Sequence, residues 1–150
     1  MIWVIKSFQE LSVNELYYIL QLRTDVFVVE QNCVFQDMDN KDPKCFHLMC
    51  WENEKLIAYT RLVPANVSFK EVSIGRVVSS PSVRGRGIGK LLMEKSIQET
   101  DRLFGKQNIR IGAQYYLLDF YKSFGFEPTG EIYLEDDIEH IEMILHRRAQ

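Results

Sequence analysis

The sequence predicts an α/β (α+β) fold, a mixed and mostly antiparallel central sheet of six or seven strands flanked by about four helices. Three observations carry this. Short β-type runs and stretches of helical spacing follow one another in the order β-α-α-β-β-β-α-β-α-β, with room for a further strand at 127–134. Neighbouring strands come first and strand-helix-strand units later, which mixes antiparallel with crossover connections. No repeat, low-complexity tract or Pro/Gly/Ser-rich linker divides the 150 residues, so one domain over 1–150 with one core is expected.

The elements follow in order. Residues 2–8, rich in β-branched and aromatic side chains, form the first strand. Ser12-Val13-Asn14-Glu15 has capping-box spacing. Leu16, Ile19, Leu20 and Arg23 continue it at i, i+3, i+4 and i+7, which predicts an amphipathic helix. Residues 26–44 mix apolar side chains with Asp37, Asp39, Asn40, Asp42 and Pro43, giving a short second helix and then a turn-rich loop. Residues 46–51 and 56–63 are strands joined as a hairpin through Glu52-Asn53-Glu54-Lys55. Residues 71–79 form a third run that Pro81 ends, and a glycine-rich turn opens a helix carrying Ile88, Leu91 and Leu92. Residues 109–113 are a buried-type strand, and residues 139–145 return to strand character. Between them Leu117, Phe120, Tyr121 and Phe124 have helical spacing, with Gly125 as the C-terminal cap.

Charge and composition exclude several function classes. A net charge of −3 supplies no basic stripe for a nucleic-acid backbone. No apolar run approaches the roughly 18 residues of a membrane span, and the first residues lack a secretory pattern. Three cysteines without a CxxC pair fit a reducing compartment, so a cytoplasmic protein is expected.

The chemistry is concentrated at Arg84-Gly85-Arg86-Gly87-Ile88-Gly89-Lys90. Glycines let the backbone approach a ligand, and the free amides and dipole of a helix start favour a phosphate or pyrophosphate. Arg84, Arg86 and Lys90 add positive charge. Walker A spacing fails, because only three residues separate Gly85 from Gly89 and Lys90 is followed by Leu91 rather than a magnesium-binding hydroxyl. The dinucleotide fingerprint fails too, since Lys90 stands where its third glycine belongs.

Arg84-x-x-Gly87-x-Gly89 resembles the R/Q-x-x-G-x-G/A signature of the GNAT superfamily of N-acetyltransferases, in which loop amides hold the coenzyme A pyrophosphate. The element order matches that fold over nearly the whole chain. Gln114 seven residues before Tyr121, and Phe120-Tyr121 followed by Phe124-Gly125-Phe126, are similar to the family's C-terminal helix and its tyrosine. Phe27-Val28-Val29-Glu30-Gln31, Ile74-Gly75-Arg76-Val77 and His140-Ile141-Glu142-Met143 resemble the ElaA-like branch.

The resemblance implies an acetyltransferase taking acetyl-CoA as co-substrate, with a small amine or peptide acceptor and no metal. Val77, Val78 and Ser79 would contact the pantetheine arm through their backbones, one of them meeting the thioester oxygen. Gln114 joins Arg84–Lys90 among the expected cofactor contacts. Tyr121 is the family's general acid, a phenol already protonated at neutral pH, although its spacing with Leu117, Phe120 and Phe124 also suits a core aromatic. Glu71 and His140 are the two candidate bases; an exposed strand-start carboxylate and a surface ion partner are their plain alternatives.

Arg23, Glu30, Gln31, His47, Arg61 and Arg76 are polar residues on otherwise apolar elements. They read either as an acceptor pocket, whose arginines suit a carboxylate-bearing amine, or as an internal salt-bridge network with Glu30 or Asp39. Cys45, His47 and Cys50 lack zinc-like spacing and read as two core cysteines and a polar histidine. A coenzyme A-binding module without turnover is the alternative function. Assembly is left open, a homodimer being the commonest soluble form.

Overall fold

A computed structural model describes residues 1–147. The chain opens with β1 (Ile2–Ser7), which lies antiparallel against β2 (Phe46–Glu52). Helix α1 (Val13–Arg23) begins where the capping-box spacing places it. The Ser12 hydroxyl accepts from the Glu15 amide at 3.0 Å, and the Glu15 carboxylate accepts from the Ser12 amide at 2.8 Å. Such caps stabilise by about 1 kcal/mol.

The expected second helix is not separate. Thr24–Glu30 continues α1 as a π-helical segment, closed by i→i−5 bonds such as Gln31 N to Val26 O at 3.1 Å. Wide turns of this kind recur at functional sites, and this one delivers Glu30 and Gln31 to the cavity described below.

Strands β2 and β3 (Lys55–Val63) form the predicted hairpin, with Asn53 and Glu54 at positive φ in its turn. Strand β4 (Ser73–Ser79) pairs with β3 and starts two residues later than the sequence suggested. Tyr59 opposes Val78 while Arg61 opposes Gly75, so β4 carries one extra residue. This bulge is centred on Arg76, at φ +51°. Helix α2 (Ile88–Phe104), strand β5 (Ile109–Gln114), the short helix α3 (Leu118–Lys122), and the hairpin of β6 (Glu127–Glu135) and β7 (Ile138–Leu145) complete the fold.

The seven strands are divided between two antiparallel sheets, β1-β2-β3-β4 and β5-β7-β6. They touch at one parallel bridge, Val72 to Ile109, where the Arg110 amide donates to the Val72 carbonyl at 3.0 Å. Beyond it β4 and β5 have no ladder between them, and a cleft opens. One cluster, including Leu62, Ile74, Met93, Ile111, Phe126 and Met143, packs across both sheets. A second cluster seats Ile19 and Leu22 of α1 on Met49 and Tyr59. No helix among the described residues is long and apolar enough to cross a membrane.

Candidate functional site

The cleft between β4 and β5 is a continuous cavity of about 1070 Å³. Its walls are the whole length of β4, Arg61 and Val63 of β3, parts of β5 and α3, the end of the π segment with the loop that follows it, and the tip of the β6–β7 hairpin.

At one end lies the start of α2. Gly87 is its N-cap at φ +75°, in the left-handed region, with no side chain closing the helix end. A Cβ there would meet nothing within 4 Å, so what the position demands is backbone freedom. Within the described residues, none of the hydrogen bonds outside regular elements uses the amides of Gly85–Lys90. Arg84 and Gly89 reach the cavity wall; Gly85, Arg86, Gly87 and Lys90 are exposed beside it, and the Ile88 side chain is buried in the core. Arg86 is clamped by Glu52 at 2.9 and 2.8 Å. Arg84 makes a bidentate pair with Glu30, both contacts at 2.6 Å.

Along β4, the Ser80 amide donates to the Ile57 carbonyl at 2.8 Å, which turns that residue's backbone toward β3. By two-residue alternation Val78 also faces β3, while the backbones of Val77 and Ser79 face the open edge. Of the three expected backbone contacts, two are thus free for a ligand; the Val78 backbone is spent on sheet pairing.

Tyr121 lines the same cavity on α3 and is only 5% exposed, edge-on to Phe120 and Phe126. Burial pushes its phenol above the usual range, so it stays protonated. Its hydroxyl has no hydrogen-bond partner among the described residues, yet it is not among the fully enclosed unpaired atoms. A free donor therefore opens onto the cavity.

Gln31 and Gln114, expected on acceptor and cofactor respectively, bond to each other. Their amides exchange hydrogen bonds at 3.3 and 3.2 Å across the wide end of the cleft. Two residues on, the Cys33 thiol donates to the Asp136 carbonyl at 3.2 Å. Glu30, Gln31 and Cys33 thus strap the π segment to the α2 loop, to β5 and to the hairpin tip.

The remaining polar set divides. Arg23 is fully buried, bonding Asp37 at 2.7 Å and Asp42 at 2.8 Å. Arg61 bonds Asp39 at 2.8 Å and Asp42 at 3.0 Å, and Arg76 bonds Asp37 at 2.7 Å. His47 Nε2 donates to the Asp42 carbonyl at 2.9 Å and Nδ1 accepts from the Tyr59 hydroxyl at 2.6 Å; burial holds the ring toward its neutral form. Arg61, Arg76, Glu30 and Gln31 line the cavity, whereas Arg23 and His47 do not. The structure therefore moves Arg23 and His47 out of the acceptor set, because a desolvated charge and a saturated imidazole have nothing left to offer a ligand. Glu71 also departs from expectation. It does not reach the cavity, and Arg110 binds it at 3.0 and 3.2 Å, holding its carboxyl below the usual range and weakening it as a base. His140 does line the cavity.

Asp37 and Asp42 were missed by sequence reasoning. They lie in a loop whose composition reads as solvated, and the only signal was the arginines placed inside strand patterns opposite them.

Comparison with known proteins agrees with this architecture. The sequence model of the family described as "Acetyltransferase (GNAT) domain" matches residues 14–147. Protein ElaA of Escherichia coli (strain K12) is 43% identical over 143 residues, covering 94% of each chain. A crystal structure of an acyl-CoA N-acyltransferase from Pseudomonas aeruginosa superposes with a TM-score of 0.90 at 43% identity, covering 96% of this chain and 99% of that one. An aminoglycoside 6'-N-acetyltransferase solved with coenzyme A shares the fold, at a TM-score of 0.69 and 15% identity, over 94% of this chain and 95% of that one. With relatives of this identity along nearly its full length, the chain belongs to the GNAT acetyltransferase family.

Proposed function

We propose that residues 1–150 form one N-acetyltransferase domain, transferring acetyl from acetyl-CoA to a primary amine by direct attack. The observation that carries this is a single cavity bordered by the amide-rich start of α2, the open edge of β4 and the free hydroxyl of Tyr121. The residues fit the donor: amides of Gly85–Lys90 suit the pyrophosphate, and Val77 and Ser79 suit the pantetheine arm. An amide of that edge aimed at the thioester oxygen stabilises charge developing there. As the C–N bond forms and the C–S bond breaks, the nitrogen's surplus proton goes to His140. Tyr121 gives its proton to sulfur and is refilled from water. A cytoplasmic setting belongs to the proposal because Cys33, Cys45 and Cys50 are free thiols.

The test is acetyl-CoA binding by calorimetry, followed by thiol release with a panel of amines. Tyr121→Phe is expected to lower kcat on the order of 100-fold while leaving the acetyl-CoA Kd within about twofold. Wild-type turnover by the variant would return Tyr121 to the core. Binding without thiol release from any amine would leave a coenzyme A-binding module instead.

Glu30 gives a second prediction. Its carboxylate holds Arg84 at the edge of the phosphate loop, and the pair is roughly half exposed, at 44% and 40%. Glu30→Gln frees that cation for the donor's phosphates. Acetyl-CoA should bind about threefold more tightly in low salt, and the gain should fade above about 0.5 M salt. Weaker binding in low salt would mean that the pair shapes the loop rather than competing for its charge.

A further inference from the structure

We propose that Glu135 is a positioning residue that receives the proton His140 takes from the acceptor amine and passes it to solvent; this rests on the acetyltransferase reading above. His140 lies at the centre of a cross-strand row, with Gln114 of β5 on one side and Tyr133 of β6 on the other. The residue is 8% exposed and lines the cavity.

Two contacts give its ring nitrogens different jobs. Nδ1 lies 2.7 Å from the Ile138 carbonyl oxygen. A carbonyl only accepts, so Nδ1 carries the proton and the neutral ring has its lone pair on Nε2. Nε2 in turn lies 3.4 Å from Oε2 of Glu135. In the neutral ring neither of these two atoms carries a proton, so the pair makes no hydrogen bond. Once Nε2 takes a proton, the Glu135 carboxylate stands 3.4 Å away as its countercharge, near enough for the exposed side chain to swing into a charge-assisted N–H···O bond. The arrangement is thus completed only after the base has worked.

The ring is also held in place. It stacks on Tyr133 with centroids 5.7 Å apart and planes at 29°. The Tyr133 hydroxyl is seated over Gly112, where a Cβ would come within 2.9 Å of it. Charged and titratable groups near the ring include Tyr133 and Glu135 from β6 and Glu142 on its own strand, the last engaged by Arg110 at 3.3 Å; Asp136 of the hairpin tip lines the same cavity, and Gln114 from β5 is neutral. Glu135 joins the two environments, because its side chain is 61% exposed while His140 is enclosed, and unlike Glu142 it has no arginine partner among the described residues. A proton moves from the amine to Nε2, from Nε2 to the Glu135 carboxylate, and from there to water, leaving both side chains as they began.

The experiment combines imidazole ¹⁵N NMR of the full chain with steady-state kinetics. In the wild-type protein above neutral pH, the spectra should show His140 protonated at Nδ1. Protonation at Nε2 would overturn the proposal whether or not the protein turns over. Glu135→Gln should lower kcat roughly tenfold, with the acceptor KM and acetyl-CoA Kd unchanged, and Glu135→Asp or added formate should restore part of the loss. His140→Gln should lower kcat on the order of 100-fold with the acetyl-CoA Kd unchanged. Adding Glu135→Gln to it should cost nothing further, because the carboxylate acts through the imidazole. Additive losses, or wild-type kcat in Glu135→Gln, would overturn the relay alone. A wild-type chain that binds acetyl-CoA yet releases no thiol with any amine would refute the acetyltransferase reading, and the relay with it.

Discussion

Gly87→Glu is expected to abolish acetyl-CoA binding while leaving the fold intact. The fold survives because the position faces open space, with nothing within 4 Å of an added Cβ. Forcing an L side chain to φ +75° costs about 1–2 kcal/mol. A carboxylate at the start of α2 recovers part of that cost through the helix dipole. Binding does not survive, because the new carboxylate occupies the place of the pyrophosphate and repels it. Like-charge juxtaposition of several kcal/mol corresponds to a loss on the order of 100-fold or more in Kd. Gly87→Asn separates the two effects, since asparagine tolerates the left-handed region and carries no charge; it should bind within about tenfold of wild type. Calorimetric titration beside a thermal melt reads both quantities. An unchanged Kd in Gly87→Glu would remove the phosphate loop, and with it the basis of the proposed function.

What was legible in the sequence is what local chemistry determines. Ser12 and Glu15 specify a helix start through their own hydrogen bonds, and α1 begins there. The Asn53-Glu54 turn and the glycines of the α2 loop likewise act within a few residues. What was illegible depends on pairing across long distances. The bulge at Arg76 is held by Asp37, which bonds that side chain through a carboxylate oxygen and its own carbonyl, at 2.7 and 2.9 Å. Nothing within 71–79 announces it. Glu30 read either as an acceptor-pocket residue or as the partner of a buried arginine, and neither reading named Arg84, the partner it has 54 positions away. The division into two sheets turns on a single bridge at Val72, which strand patterns cannot distinguish from a continuous ladder.

The same long-range pairing leads to the largest stability effect expected here, that of Asp42→Ala. Asp42 is buried, and one of its oxygens accepts from both Arg23 and Arg61, at 2.8 and 3.0 Å. Removing it leaves two enclosed guanidiniums short of an acceptor and of a countercharge. Breaking a buried pair from one side typically destabilises by about 3–5 kcal/mol, against a total of about 5–15 kcal/mol for a domain. At this chain length the melting temperature should fall by roughly 10 °C. Asp42→Asn keeps an acceptor in place and should lose less. The acid limb of stability is expected to respond as well. Burial would raise the Asp42 and Asp39 carboxyls, but hydrogen bonds from Arg23 and Arg61 outweigh it and hold both below the usual range. A folded-state value below the unfolded one stabilises fully above about pH 4, and that stability is lost as the pH falls through the folded value. Wild type should therefore keep its acid stability to lower pH than Asp42→Ala, whose urea midpoint should already be depressed at pH 7. The effect should also reach the cavity, because this network fixes the segment containing Asp37, Asp39 and Asp42 and braces the Arg76 bulge. In the folded fraction at low temperature, the acceptor KM should rise while acetyl-CoA affinity, set at the far end by the α2 loop, should stay near wild type. A melting shift under about 3 °C would show that the buried network contributes little beyond its own desolvation, and that the acceptor wall is held by packing alone.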